Sequence, residues 1–346
     1  MVSLAILAAV ALAPATGFAT RPVPRPLRPL LLRGGATATD EPKNSAFVFI
    51  KPHAVTEPAV ALVREALVSR GLTILGEGSI SSEQIDAKRL IDQHYYAIAS
   101  KATMTTPAEL NVPADKFKDA FGVEWADVLA EGKAYNAMDA CEVLGLEADA
   151  LEAANVAASK DGKLVKLGGG FYCGLIDSVE GKPPIYVFNA FFMAMRAKFT
   201  RPGASIHYFN VEWDAATLPW ADFRGKLLGP TDPADAPADS IRGTILAQYA
   251  ELGLASAPNT GENGVHASAS PFEALAERLN WLEGDVAADP FGARLLAAGV
   301  PAETIAAWTV DPVVAYPDGG KGSVFDALED MDAPDCLAKC AELAKL

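Results

Sequence analysis

Residues 229–243, GPTDPADAPADSIRG, and residues 263–282, NGVHASASPFEALAERLNWL, form the stretch from which the rest of the chain can be placed. His266 stands at the junction of a short apolar run and an amphipathic helical pattern. Asn263 lies three residues before it, Ser268 two after it and Glu277 eleven after it. That setting suits an activated nucleophile, because a carboxylate or hydroxyl on one ring nitrogen fixes the tautomer of the other. The upstream half suits a phosphate clamp: Thr231 offers a hydroxyl, and Arg242 offers paired N–H donors that match phosphate geometry. Phosphate-binding groups around a histidine, with no Ser or Cys nucleophile, point to phosphoryl transfer through a phosphohistidine.

Working outward, AFVFI (46–50) reads as a strand, Lys51-Pro52-His53 as a turn, and EPAVALVREALVSRG (57–71) as a helix ending at Gly71. LTILGEGSI supplies a second strand, and SSEQIDAKRLIDQHYYAIASKA a second helix with Ser82 as its N-cap. Past residue 185 come the helix NAFFMAMRAKF, the strand ASIHYFNVEW and the helix LPWADFRGKLLG. The strand NGVHAS and the helix PFEALAERLNWL follow, with Pro271 in the latter's first turn, where a missing N–H costs nothing. Between 103 and 185 two helical segments, DKFKDAFGVEWADVLAEG and CEVLGLEADALEAANVAAS, precede a hairpin pattern, KLVKLGGGFYCGLIDSVEGKPPIYVF. Gly168-Gly169-Gly170 reads as a turn, since a P-loop needs a following Lys-Ser/Thr and a helix. Beyond Glu283 the chain is a Pro- and Gly-punctuated tail that closes in a short amphipathic helix, APDCLAKCAELAKL.

With the insertion set aside, the order β-α-β-α-α-β-α-β-α predicts an α+β fold. The expected arrangement is a ferredoxin-like βαββαβ antiparallel sheet with helices covering one face, plus an inserted helix/hairpin region. The expected division is a presequence over 1–40, a main domain over 41–102 and 186–346, and the insertion over 103–185.

Composition narrows the function classes. The formal net charge is −15, and the first 39 residues carry four of the 29 bases and none of the 44 acids. So acidic a body argues against a broad nucleic-acid face, whereas a small phosphorylated ligand needs only a few local cations. Cys141, Cys173, Cys336 and Cys340 have neither metal-finger nor CxxC spacing and read as reduced, packed thiols. At the N-terminus, an apolar run from Leu4 to Ala13 followed by FATRPVPRPLRPLLLRGGATAT fits a signal peptide and a basic transit segment. The pair resembles the two-part plastid presequence of algae with secondary plastids; a secreted protein with a basic stub is the other reading. The apolar run is too short for a stable membrane span.

Four features in order, IKP after the first strand, HYY at the second helix's end, GPTDPADAPADSIRG, and NGVHAS before a helix with Glu277 and NWL, resemble the nucleoside diphosphate kinase family. The resemblance covers two blocks, about 46–98 and 189–282. It implies a two-step exchange in which His266 takes the γ-phosphate of a nucleoside triphosphate and hands it to a diphosphate. By the same resemblance, Glu277 and Ser268 orient the imidazole. Lys51, Thr231, Arg242 and Asn263 contact phosphates and sugar hydroxyls, Tyr95 sits near the transferring phosphate, and Phe192 stacks on the base. Mg²⁺ is implied as a cofactor riding on the phosphates, with no protein metal ligands, and assembly as a homo-oligomer is implied as well. His53, His94 and His207 read as structural.

The sequence departs from the family pattern in several places. Gly225 occupies the position of an arginine expected six residues before Thr231, which leaves Arg224 or Lys226 to serve. Ala269 and His53 stand where aspartates are usual, and GLASAPNTGE lengthens the interval between Arg242 and His266. These departures, with the insertion, keep a catalytically weak nucleotide-binding or assembly module open as the second reading. A protein-histidine phosphotransfer component is the third.

Overall fold

The apolar run at 46–50 becomes β1 (Asn44–Ile50), an inner strand of the first of two four-stranded sheets in the computed structural model, which describes residues 42–346. The presequence reading of residues 1–40 lies outside the described residues. After β1 come α1 (Glu57–Ser69), β2 (Thr73–Ser81), α2 (Ser82–Ala87), α3 (Leu90–His94) and α4 (Tyr96–Ala99). The next stretch holds α5 (Ala114–Phe121), α6 (Trp125–Ala130), β3 (Ala134–Asn136), α7 (Ala137–Leu144), α8 (Ala148–Lys160), β4 (Leu164–Gly168), β5 (Phe171–Ile176) and β6 (Ile185–Phe188). There follow α9 (Phe191–Thr200), β7 (Ser205–Trp213), α10 (Trp220–Asp222), α11 (Ile241–Gln248), β8 (Val265–Ala267) and α12 (Pro271–Trp281). The tail contributes α13 (Pro290–Ala297), α14 (Ala302–Trp308), β9 (Val313–Ala315), β10 (Lys321–Ser323) and α15 (Ala333–Leu343).

The first sheet runs in the order β2-β7-β1-β8, and every neighbouring pair is antiparallel. Its β1 is apolar without interruption, the pattern of a strand buried on both sides. Ala46, Val48 and Ile50 pack into one core with Val63 and Leu67 of α1 and Ile241 and Ile245 of α11. Phe47 and Phe49 point the other way, into a core with Ile85, Leu90, Ile91, Phe199 and Trp281. Helices therefore cover both faces, and the expected one-faced cover is corrected: every residue of β1 except the half-buried Ser45 is buried.

The second sheet, β3-β6-β5-β4, has one parallel pair, β3 with β6, and is otherwise antiparallel. Gly168 ends β4, and Gly169 and Gly170 form the turn into β5. The insertion helices expected as two segments are four, with breaks at Gly122 and Gly145. The long second helix is likewise broken. Ser81, not Ser82, is its N-cap and forms a capping box with Gln84, and Arg89 interrupts it in a left-handed conformation at φ 53°. The tail is more ordered than its punctuation suggests, because α13, α14 and α15 close a third core on the outer face of α12, around Phe272, Leu275, Phe291, Leu295 and Trp308. Cys336 and Cys340 are buried in that core, and all four cysteines are free thiols. Among the described residues no helix is long and apolar enough to cross a membrane.

Candidate active site

His266 is the middle residue of the three-residue strand β8, paired with Phe49 of β1. Its imidazole stacks on the Phe49 ring at 4.7 Å between centroids, and its side chain is 18% exposed. Nε2 of His266 lies 2.5 Å from Oε1 of Glu277, which α12 projects back toward the sheet. The other Glu277 oxygen is 2.5 Å from the hydroxyl of Ser268, which also accepts the Phe47 N–H at 3.0 Å. Backbone, hydroxyl, carboxylate and imidazole thus form one chain of contacts. With Nε2 engaged, Nδ1 is the ring nitrogen left for chemistry.

The setting favours an uncharged imidazole. Burial, then the nearby charges of Lys51, Arg242 and Arg224, hold the His266 pKa well below that of a free histidine. Burial pushes Glu277 upward, opposed by His94 and by the Ser268 hydrogen bond. We place the proton of the pair on His266 Nε2, facing a carboxylate, since three cations disfavour a second proton on the ring.

Lys51 and Arg242 make a positive pole in an acidic protein. Arg242 is buried, and its named hydrogen bonds all go to carbonyls: Nε and Nη2 donate to Val265 O at 3.2 and 2.8 Å, and Nη1 donates to Gly229 O at 2.8 Å. Burial and Arg224 lower its pKa to about 10. Gly229 has φ +92°, and a Cβ there would meet Ser240 Oγ at 2.7 Å, so glycine is what lets the carbonyl turn to the guanidinium. Among the described residues Lys51 Nζ reaches only the Gly261 carbonyl, at 3.4 Å; burial, then Arg242 and Lys198, lower its pKa to about 8. Among the described residues neither Lys51 nor Arg242 has a carboxylate within salt-bridge distance. Two desolvated cations without a counter-ion describe a place for an anion.

Backbone laces the turn after β1 to the segment before β8. The Lys51 N–H donates to Gly264 O at 2.8 Å, and the Gly264 N–H donates to His53 Nε2 at 3.2 Å. The neighbouring Asn263 is buried; its Nδ2 donates to the Thr231 carbonyl at 3.0 Å, and its Oδ1 has no protein partner. Thr231 itself is exposed. Tyr95 lines the same cavity as His266, with burial raising its phenol to about 12.

Two residues named from the sequence stand elsewhere. Phe192 is 0% exposed in the core of Ala140, Leu151, Ile185 and Val187, so the expected base-stacking platform is not at the surface. Helices α7 and α8 and strands β5 and β6 cover it. Arg224 is near the site but engaged, with Nη1 2.7 Å from both Glu329 and Asp330 of the tail; Lys226 pairs with Asp222 at 2.8 Å.

His94, which the sequence reads as structural, lies at the site: its Nδ1 is 3.4 Å from Glu277 Oε1 and its ring meets that of His266 edge-on at 4.7 Å. Burial, then His266, lowers its pKa to about 3. A buried ion pair holds α3 in place beneath it: Arg196 Nε donates to both oxygens of Asp92, at 3.0 and 2.9 Å, and Thr103 Oγ1 donates to Asp92 at 2.8 Å. The HYY motif at the helix end was the signal that could have placed His94 beside its neighbour Tyr95.

No family model matches the chain, and no curated protein matches it. Among solved structures it is similar to the apo nucleoside diphosphate kinase of Encephalitozoon cuniculi, at 14% identity and a TM-score of 0.34 over 70% of this chain and 90% of that one. It is similar to the Aquifex aeolicus nucleoside diphosphate kinase at 13% identity and a TM-score of 0.34, over 69% of this chain and 95% of that one. An NDP kinase from Pyrobaculum aerophilum gives 18% identity and a TM-score of 0.32, over 69% and 96%.

Proposed function

We propose that this chain is a nucleoside diphosphate kinase, moving the γ-phosphate of a nucleoside triphosphate to a diphosphate through phosphohistidine at His266. One observation carries the reading. His266 Nε2 is held by Glu277, itself held by Ser268, while Lys51 and Arg242 stand by with no carboxylate at salt-bridge distance among the described residues. In the first half-reaction Nδ1 attacks the γ-phosphorus, the bond to the β–γ bridging oxygen breaks, and the diphosphate leaves with that electron pair. Nε2–H stays on Glu277, which stabilises the positive charge that forms on the ring. The second half-reaction reverses these steps with another diphosphate. Lys51 and Arg242 supply charge to the transferring group where water is scarce; Thr231 and Asn263 complete the clamp, and Tyr95 faces the phosphate.

Mg²⁺ enters this reading on the nucleotide, neutralising phosphate charge. Among the described residues the one cluster of three ligand-type groups contains two imidazoles, which does not fit a cation that takes oxygen ligands. The sheet order, read as a split β-α-β arrangement, supports the ferredoxin-like assignment for 41–102 and 186–346, with 103–185 as an insertion carrying its own sheet. Homo-oligomeric assembly and delivery to a plastid complete the proposal.

A second reading is favoured by two observations: Arg224 is neutralised by Glu329 and Asp330, and Phe192 is buried. It makes the chain a weakly catalytic nucleotide-binding module. Full-chain protein incubated with γ-labelled ATP is expected to form an acid-labile phosphate adduct that GDP discharges and that His266→Ala lacks. Label persisting in that variant sinks the assignment. A nucleotide-dependent rise in Tm with transfer to GDP at background selects the second reading.

A further inference from the structure

Three ligand-type atoms converge beside the proposed nucleophile. His266 Nε2 is 2.5 Å and His94 Nδ1 3.4 Å from the same oxygen, Glu277 Oε1, and the three lie within 4.8 Å of one another. Trp281 Nε1–H, which can only donate, is directed at His94 Nδ1 from 3.5 Å. That nitrogen's one lone pair accepts the contact, and a metal taking Nδ1 has to displace the indole N–H from it. His94 Nδ1 and Glu277 Oε1 face each other at 3.4 Å in a buried site.

We propose that His94 Nδ1, His266 Nε2 and Glu277 Oε1 bind one divalent transition-metal cation of the Zn²⁺ class, and that the bound ion switches phosphoryl transfer off. Two imidazoles and a carboxylate with a fourth position for water is a donor set such ions take, and magnesium does not. Metal bonds of about 2.0–2.2 Å at tetrahedral angles put ligand atoms roughly 3.3 Å apart. The His94–Glu277 spacing already matches. The His266–Glu277 contact has to open by about 0.8 Å to reach that spacing, a slide in the plane of a ring stacked on Phe49. Ser268 fixes Glu277 through Oε2 and leaves Oε1 for the metal. A cavity of about 430 Å³, lined also by Gln93, Tyr95 and Glu273, has room for the water ligand.

The switch follows from imidazole chemistry and rests on the phosphohistidine reading. A neutral ring that gives the Nε2 lone pair to a metal carries its one proton on Nδ1. Metal binding thus moves that proton from Nε2 to Nδ1 through solvent, and the nitrogen that attacks phosphorus loses its lone pair. No electron transfer is involved.

The test uses tag-free, full-chain protein, which has four histidines. Co²⁺ titration is expected to saturate at one equivalent with the intense visible band of four-coordinate cobalt, and Zn²⁺ is expected to displace it. X-ray absorption of the zinc form should show two imidazoles on the metal, and His94→Gln should weaken binding by at least about 10-fold. A weak six-coordinate spectrum, fewer than two imidazoles, or unchanged affinity in His94→Gln overturns the site. If that variant fails to fold, the wild-type absorption spectrum decides alone. Phosphohistidine formation with and without chelator-buffered Zn²⁺ then tests the switch, with at least 10-fold suppression expected. Binding without suppression overturns the switch and leaves the kinase reading intact. No labelling in metal-free protein overturns the kinase reading, and the switch with it, while the metal site stands.

Discussion

Lys51 shows what an anion site asks of a single side chain. Burial and neighbouring cations lower its pKa from 10.5 to about 8, so between those values the unfolded chain holds more protons than the folded one. Stability from this group therefore rises with pH through that window, and below about pH 8 the charged lysine works against the fold. Lys51→Met is expected to stabilise the ligand-free protein at pH 7 by on the order of 2 kcal/mol after allowing for partial exposure, and so to raise its Tm, while nucleotide affinity falls. In the wild type, kcat/KM for phosphate transfer should decline as pH passes about 8 and the free protein's lysine loses its charge. Denaturation melts across pH 6–10 and a parallel rate profile check both. The sequence made Lys51 visible through its place after an apolar strand. It did not show His94, because no local pattern records that a helix end will pack against a carboxylate 183 positions later.

At the scale of elements, the helix ending in His94 and Tyr95 is held by one buried contact across the insertion. Asp92 is fully buried, and its partner Arg196 sits on α9, 104 residues on. Asp92→Ala removes the buried carboxylate from Arg196 Nε and Thr103, while Arg196 keeps its 2.7 Å pair with Asp86, and is expected to cost about 1.5–3 kcal/mol. In the same variant α3 loses its anchor, so the cavity beside His266 should open; faster amide exchange at 90–96 than in α1 would show it, and uniform exchange would argue against a local anchor. Strand and helix positions were largely legible because β1, β2, β7 and α12 carry strong periodic or continuous apolar patterns. Breaks inside helices were not, since the exposed Arg89 adopts a left-handed φ that no glycine or asparagine announces. Phe192 was misplaced for a related reason: an aromatic after a strand reads alike whether a cleft or a second core lies above it.

The whole molecule links distant segments through charges and caps. Glu329 and Asp330 reach back 105 and 106 residues to Arg224, through partly exposed ion pairs that contribute little stability, about 0–1 kcal/mol each. The double variant Glu329→Gln, Asp330→Asn is expected to leave Tm within a few degrees of wild type while tightening nucleotide binding several-fold, as Arg224 is freed. Calorimetric titration with a diphosphate reads this directly, and unchanged affinity would mean that Arg224 cannot reach the ligand. In the tail only the closing helix was legible in the sequence; α13 and α14 read as punctuated chain, because their core forms only against the outer face of α12.

Asn44, the first residue of β1, donates from Nδ2 to Asp332 at 2.7 Å and accepts the Ala333 N–H at 2.8 Å. Asp332 in turn accepts the Trp220 N–H. The inner strand is thus fastened to a residue 288 positions away. At ribosomal rates of about 5–20 residues per second, roughly 15–60 s separate the synthesis of the two partners. During that interval β1's five consecutive apolar residues emerge well before β7, β8 or the tail that will cover them. The fold is therefore post-translational in its order of events, and a nascent chain of this protein should depend on a holdase more than its size alone would suggest.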